Sequence, residues 1–346
     1  MGSGGMAQGH RLLSNAARID RDAMRYWMRV DFGPVALPAD EKAYFTQLNN
    51  ELSALCMCLP KSTQAEALLF LMQYYGISIG HRLDFFRNYY APAWSINYWL
   101  EKRLAGVPGA REGAAKMAIS AQAMALFLHS LDNHLNEGDV PASHVTLLLR
   151  SQAWLILNHA VLELASGVDK GEQTVQRYLD IYYHGIAYPE EAVSLEGYCQ
   201  GFISQMATGF IVPVLLAKRF AADGLLRQSI EDAYAAFGIA WRLLDDIHDI
   251  EMDIRKGQHT AVYAALPKDM RRLWDECSDD NPDEGEETSR LVVDFLWRHR
   301  IVHNLLARIN RELRTAAWHA EKCGMLGLAN EFKCLNVSFR AFEDIP

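Results

Sequence analysis

Residues 241–257 read Trp241-Arg242-Leu243-Leu244-Asp245-Asp246-Ile247-His248-Asp249-Ile250-Glu251-Met252-Asp253-Ile254-Arg255-Lys256-Gly257. The stretch continues an apolar run of three- and four-residue spacing, so it extends a helix. Asp245, Asp249 and Asp253 then fall at i, i+4 and i+8 on one stripe. Like charges four residues apart repel by roughly 0.2–0.5 kcal/mol per pair, so a helix shaped for stability alone avoids this pattern. Leu243, Leu244, Ile247 and Ile250 flank the stripe and place it near the interior. Hard oxygen donors with no Cys and little His select Mg²⁺, with Mn²⁺ as the other ion such a set accepts. Mg²⁺ dehydrates reluctantly and usually joins one or two carboxylates to the phosphates of a substrate. The expected ligand is therefore a phosphate or diphosphate, with Arg242 and Lys256 as candidate anion-binding groups and Asp246 as a second-tier metal ligand.

Outward from this segment the same periodicity covers nearly the whole chain, and no window of strict alternation suggests a strand. Helices are expected at about 10–30, 40–58, 62–76, 80–103, 111–135, 143–166, 171–187, 192–222, 226–256, 258–265, 268–277, 287–322 and 325–341. They are punctuated by Gly33-Pro34, Pro60, Gly106–Gly109, Gly138, Pro141 and Pro189. The reading is all-α: a single helical domain over 11–346, large enough to enclose an apolar cavity. The start, MGSGGMAQGH over 1–10, reads as an expression scar outside the fold, and the acid-rich stretch 275–287 as a solvated loop.

Composition narrows the function. Of 346 residues, 34 are Lys or Arg and 43 are Asp or Glu, a net charge of −9, which argues against nucleic acid as the partner. Six scattered cysteines fit reduced thiols better than a zinc site or a disulfide framework. No uninterrupted apolar run reaches the ~18 residues of a bilayer span. A cytoplasmic protein without an integral membrane segment is expected.

A second polar cluster, His129-Ser130-Leu131-Asp132-Asn133-His134-Leu135-Asn136-Glu137-Gly138-Asp139, ends another apolar helix. Asp132 and Asn136 stand at i, i+4 and are the candidate metal ligands here, with Glu137 and Asp139 in second tier. His129 and His134, five apart, share a helix face poorly and read as ordinary polar histidines.

The segment LLDDIHDIEMDIRKGQHT resembles the second aspartate-rich motif of the trans-prenyl diphosphate synthases, and so of the class I isoprenoid synthase fold. ALFLHSLDNHLNEGDVPASH is similar to their first aspartate-rich region, and Gly80-His81-Arg82-Leu83-Asp84 to the Gly-Lys-Arg-Leu-Arg element that precedes it. Together these cover about 76–260 in the family's order. The resemblance implies a helical bundle around a central apolar cavity, three Mg²⁺ ions, an allylic prenyl diphosphate substrate and a homodimer. Departures from the motifs shape the reading further. Asp132-Asn133 replaces a pair of aspartates, no Arg-Arg pair follows, His81 and Asp84 replace cations, and the Lys-Thr expected near Ser204–Thr208 is missing. A second diphosphate would lose several charge-assisted bonds of ~1.5–3 kcal/mol each.

Ionisation of one allylic diphosphate of C10–C20 or longer, as in a class I terpene synthase (cyclase), is therefore the expected activity. Chain elongation or prenyl coupling by a trans-prenyltransferase, and a catalytically silent binding subunit, are the alternatives. Arg82 and Arg340, the latter in SFRAFEDIP where Ala341 replaces the family's Tyr, are further diphosphate-binding candidates. Phe127, Phe202, Phe210, Trp94, Tyr98 and Trp99 are candidate cavity aromatics that would face a carbocation.

Overall fold

Apolar spacing and proline punctuation produce helices throughout. A computed structural model describes residues 24–81, 83–85, 91–105, 114–187, 194–220, 224–277 and 282–338, the side chains of 91, 92, 94 and 282–287 excepted. Expectations for residues 1–10, Arg82, Arg340 and the Trp94 side chain lie outside the described residues. The helices are α1 (Ala39–Met57), α2 (Lys61–Tyr74), α3 (Ala91–Arg103), α4 (Ala114–Asn136), α5 (His144–Ala165), α6 (Gly171–Ala187), α7 (Leu195–Gln205) and α8 (Thr208–Phe220). They continue with α9 (Gly224–His248), α10 (Ile250–Lys256), α11 (Ala261–Ala264), α12 (Lys268–Asp275), α13 (Pro282–Arg298), α14 (Ile301–Lys322) and α15 (Leu326–Cys334). No strand occurs among the described residues.

Local chemistry sets the starts. Ser143 and Ser194 accept the N–H groups of Thr146 and Gly197 as N-caps of α5 and α7, and Pro38, Pro60 and Pro267 stand just ahead of α1, α2 and α12. Three helices expected to be continuous are broken. α7 and α8 bend by 67° at Met206-Ala207, α9 gives way to α10 at Asp249, and α13 is divided from α14 at Arg300, which adopts φ +54°. No Gly or Pro marks any of these breaks, so no local signal announces them. Of the helix expected from residue 80, residues 80, 81 and 83–85 are not helical, with Gly80 at φ +90°, and α3 covers Ala91–Arg103. Of the acidic stretch 275–287, expected as a loop, residues 276 and 277 form a turn, 278–281 lie outside the described residues, and from Pro282 the chain is helical, where proline's fixed φ suits a first turn.

Two long helices organise the bundle. α4 packs along α5 and against α1 and α8, while α9 packs along α14 and against α8. Helix α5 is long and apolar enough to cross a membrane by length and composition. Within the bundle, however, its Arg150 pairs with Asp132 of α4, and Leu149, Ala153, Leu157 and Val161 are buried.

One buried pair bears on stability rather than on the site. Glu41 of α1 and Glu331 of α15 are both buried, and Glu331 accepts from Ser95 (2.6 Å) and from the Trp99 indole. Burial first, and the neighbouring Glu331 second, push the Glu41 carboxyl well above the usual range. A raised folded pKa gives stability that is complete below the unfolded value and lost as pH rises through the folded one. Glu41→Gln should therefore melt close to wild type at pH 5 and several degrees above it at pH 9. Equal differences at the two pH values in a thermal melt would contradict this.

Candidate active site

The cavity lies where α4 and α9 face each other, with α2, α3, α7 and α8 closing it; its volume is about 540 Å³. Helix α4 contributes Leu126, His129, Ser130, Asn133 and His134, with Glu137 just past its end, a single stripe at i, i+3, i+4, i+7, i+8, i+11. Helix α9 contributes Tyr234, Phe237, Gly238, Trp241, Arg242 and Asp245 in the same phase, and Asp249 follows at its end. The apolar end is lined by Ala93, Ala125, Phe202, Met206, Gly209 and Phe237, and the polar mouth by Glu137, Asp139, Arg242, Asp245 and Asp249. A Cβ on Gly238 would lie 2.2 Å from Met206 Sδ, so that glycine is what lets Met206 fit beside the cavity.

Arg242 joins the two acidic segments directly. Its Nε donates to Tyr198 Oη (2.8 Å) and pairs with Asp246 (3.0 Å), while Nη1 reaches Asp245 (3.5 Å) and Nη2 reaches Glu137 (3.4 Å). Lys256 Nζ pairs with Asp139 at 2.6 Å, a second bridge across the mouth. The convergence of two segments more than a hundred residues apart in sequence is thus a feature of the fold.

Two cations do not balance so many acids. Burial, with the charges of Asp246, Asp249 and Glu137 added, raises Asp245 to about 7 against the pull of Arg242. Asp253 rises to about 8, by burial and then by Asp246 and Asp249, and Asp249 rises for want of solvent. The Asp245–Asp249–Asp253 register survives the helix break because Asp249 N–H donates to Asp245 O (3.1 Å) and Asp253 N–H to Asp249 O (2.8 Å). Asp253 is nevertheless buried and does not line the cavity, and its Oδ2 has no hydrogen-bond partner among the described residues. Asp246 is turned from the cavity, accepting the Ala261 N–H (2.8 Å) at the start of α11.

The first segment is corrected by one step of helical phase. Asp132 is buried away from the cavity, held bidentately by Arg150 (2.5 and 3.2 Å) and by the Tyr182 hydroxyl (2.8 Å). Asn136 does not line the cavity either; its amide donates to the Ile186 carbonyl at 3.0 Å. Asn133 and Glu137 face the cavity in their place, with Asn133 Nδ2 donating to Glu137 Oε1 (3.0 Å). Contrary to the sequence reading, both histidines line the cavity. His129 sits edge-on to Phe202, and its Nδ1–H donates to the Gln205 carbonyl (3.0 Å); burial lowers its pKa to about 4.

Among the expected aromatics with described side chains, Phe202 lines the cavity. Phe127 is sealed in the core on another face of α4, and Phe210 stacks on Tyr178. Tyr98 packs against Tyr44 and Trp99, and Trp99 donates to Glu331. Tyr74, Tyr75, Tyr234, Phe237 and Trp241 supply the aromatic faces instead. Trp241, Phe237 and Tyr234 sit at i−4, i−8 and i−11 from Asp245, the one signal that would have found them.

No protein-family model matches the chain, and no curated protein matches it in sequence. Solved structures do. The polyprenyl synthetase of Streptomyces coelicolor aligns with a TM-score of 0.61 at 14% identity over 84% of this chain and 98% of that one. The geranylgeranyl pyrophosphate synthase of Lactobacillus brevis gives 0.62 at 14% identity over 85% and 96%. The polyprenyl synthase of Caulobacter crescentus, complexed with calcium and isoprenyl diphosphate, gives 0.58 at 13% identity over 86% and 96%. The chain has the helical fold of the trans-prenyl diphosphate synthases.

Proposed function

We propose that this protein is a divalent-metal-dependent enzyme that activates an allylic prenyl diphosphate for prenyl transfer. The observation that carries the reading is the acid-lined mouth of an apolar cavity, built where α4 and α9 converge in this fold. The residues fit a hard divalent cation such as Mg²⁺. The mouth donors are mostly carboxylate oxygens, and they repel one another. Glu137 and Asp139 on one wall, with Asp245 and Asp249 on the other, would hold up to three such ions. Bound metal supplies neutralisation of the leaving diphosphate.

The chain's own residues do the rest. Arg242 keeps the two walls in register through Glu137 and Asp245, and Lys256 stands at the rim as a donor to phosphate oxygens. Phe202, Phe237 and Trp241 exclude water and offer ring faces worth ~0.5–2 kcal/mol each to positive charge. His129, held neutral and oriented by Gln205, adds no competing cation.

Prenyl transfer is preferred over cyclisation because the similar structures are prenyl diphosphate synthases. Cyclisation of a single diphosphate stays as a second reading for one reason: Asp84, where the motif expects a cation for the second diphosphate, accepts from Asn49 (3.1 Å) as a structural anion. Incubation with Mg²⁺ and C10, C15 or C20 allylic diphosphates, with and without isopentenyl diphosphate, separates the readings by product mass. Longer diphosphates support transfer, and a hydrocarbon or alcohol from one substrate supports cyclisation. No diphosphate release and no Mg²⁺-dependent binding of a diphosphate analogue would leave a silent subunit.

The same reading takes residues 11–346 as one unit acting as a homodimer in a reducing, cytoplasmic setting; all six cysteines are free. Leu148, Leu155 and Leu162 of α5 lie at i, i+7 and i+14 and are 38%, 64% and 50% exposed, a ready seam for a second copy. Leu155→Glu with Leu162→Glu should shift the protein from dimer to monomer in sedimentation velocity; a wild type already monomeric at micromolar concentration would refute the pairing.

A further inference from the structure

The first wall holds a group that the sequence pattern set aside. One ligand atom each of His134, Glu137 and Asp139 lies within 4.8 Å of the other two. His134 lies on the last turn of α4 and Glu137 just past its end, and Gly138 at φ +76° folds the chain back so that Asp139 N–H donates to His134 O (2.9 Å). Each of the three side chains is already held through one atom. Tyr74 Oη meets His134 Nδ1 (2.6 Å), Asn133 and Arg242 meet Glu137 Oε1, and Lys256 meets Asp139 Oδ1. An ion bound here would take the atoms these contacts leave, Nε2, Oε2 and Oδ2, the arrangement by which outer partners orient metal ligands.

We propose that His134, Glu137 and Asp139 form a mixed nitrogen–oxygen site for a first-row transition-metal dication, Mn²⁺ through Zn²⁺, in preference to Mg²⁺. It rests on the reading that divalent ions act at this mouth. The physical reason is that imidazole suits transition metals, whereas Mg²⁺ wants oxygen alone. An imidazole ligand also adds a donor atom without adding to the crowded negative charge of Asp245 and Asp249. Tyr74, by fixing Nδ1, decides which nitrogen is offered.

The test needs no substrate. Mn²⁺ bound to the whole protein without diphosphate should show ¹⁴N modulation in pulsed EPR. The modulation should convert to a ¹⁵N pattern in protein labelled with [¹⁵N]histidine, an arm that requires no variant. His134→Gln should abolish the modulation and weaken Co²⁺ binding about 10-fold or more, with Mg²⁺ affinity changed far less. His129→Gln should keep the modulation, because that ring is held by the Gln205 carbonyl and Phe202 and is not part of the group. Absence of nitrogen coupling in the wild type, its persistence in His134→Gln, or failure of Mn²⁺ to bind overturns the proposal. Product formation with Mg²⁺, assayed separately, can still succeed in each of these cases, so the two ideas fail independently.

Discussion

Asn in place of Asp249 is expected to lower consumption of an allylic diphosphate by about 10²–10³-fold, the scale of losing one group that stabilises departing charge. Asp249 lines the mouth opposite Glu137 and Asp139, and burial already holds its pKa up for lack of counter-charge. Removing its charge should weaken Mg²⁺ and Mn²⁺ binding while leaving the melting temperature unchanged or slightly raised. Asp132→Asn is the contrasting case. Its carboxylate is buried between Arg150 and Tyr182, outside the cavity, so the loss falls on stability. Arg150 is 32% exposed, which places the cost near about 2–3 kcal/mol and the midpoint lower by roughly 5 °C. Metal affinity should stay within a factor of two. A large loss of metal binding in Asp132→Asn, or none in Asp249→Asn, would reverse the assignment of the first wall; calorimetric titration and thermal melts decide it.

Arg242→Gln should produce the largest loss of stability of any substitution at the mouth. The guanidinium is 13% exposed and contacts Glu137, Asp245 and Asp246, so its removal leaves a nearly sealed Asp246 facing like charges. Breaking a buried pair in this way costs about 3–5 kcal/mol. The cost should depend on pH in a defined direction. Asp245 at about 7 and Asp253 at about 8 are raised by burial, so the favourable protonated state holds below the unfolded carboxylate range and fades as pH climbs through these values. Taking away Arg242 pushes those values higher still. The difference in melting temperature between wild type and Arg242→Gln should be small near pH 4.5 and grow steadily to pH 8. Millimolar Mg²⁺ should recover part of it at pH 8, since a divalent ion replaces the missing counter-charge. An equal difference at pH 4.5 and pH 8 would show that Arg242 acts by packing alone.

Much of this molecule is written in local pattern. Helix α6 runs Gly171–Ala187 as its spacing predicts, and the ends of α2 and α5 fall within two residues of expectation. The second acidic segment is equally plain, because Asp245 stands in helical phase with Tyr234, Phe237 and Trp241 on an amphipathic helix and Asp249 follows one turn later. The first segment was harder. Helix α4 is apolar around much of its circumference, with Leu128 and Leu131 buried on one side and Leu126 beside the cavity on another, so its sequence does not say which polar residue turns inward. Asp132 looked like the ligand because of its chemistry; Arg150 from α5 and Tyr182 from α6 decided otherwise.

Periodicity, charge and residue type alone determined that the chain is helical and that it carries an acid stripe of the kind divalent cations take, from which a diphosphate ligand is expected. Tertiary packing decided which face of α4 meets that stripe and that Arg242 and Lys256 span the mouth. The physical reason is range: a helix's hydrogen bonds and side-chain spacing are settled within a turn or two, whereas the rotation of one helix against another is set by what several distant helices bury between them.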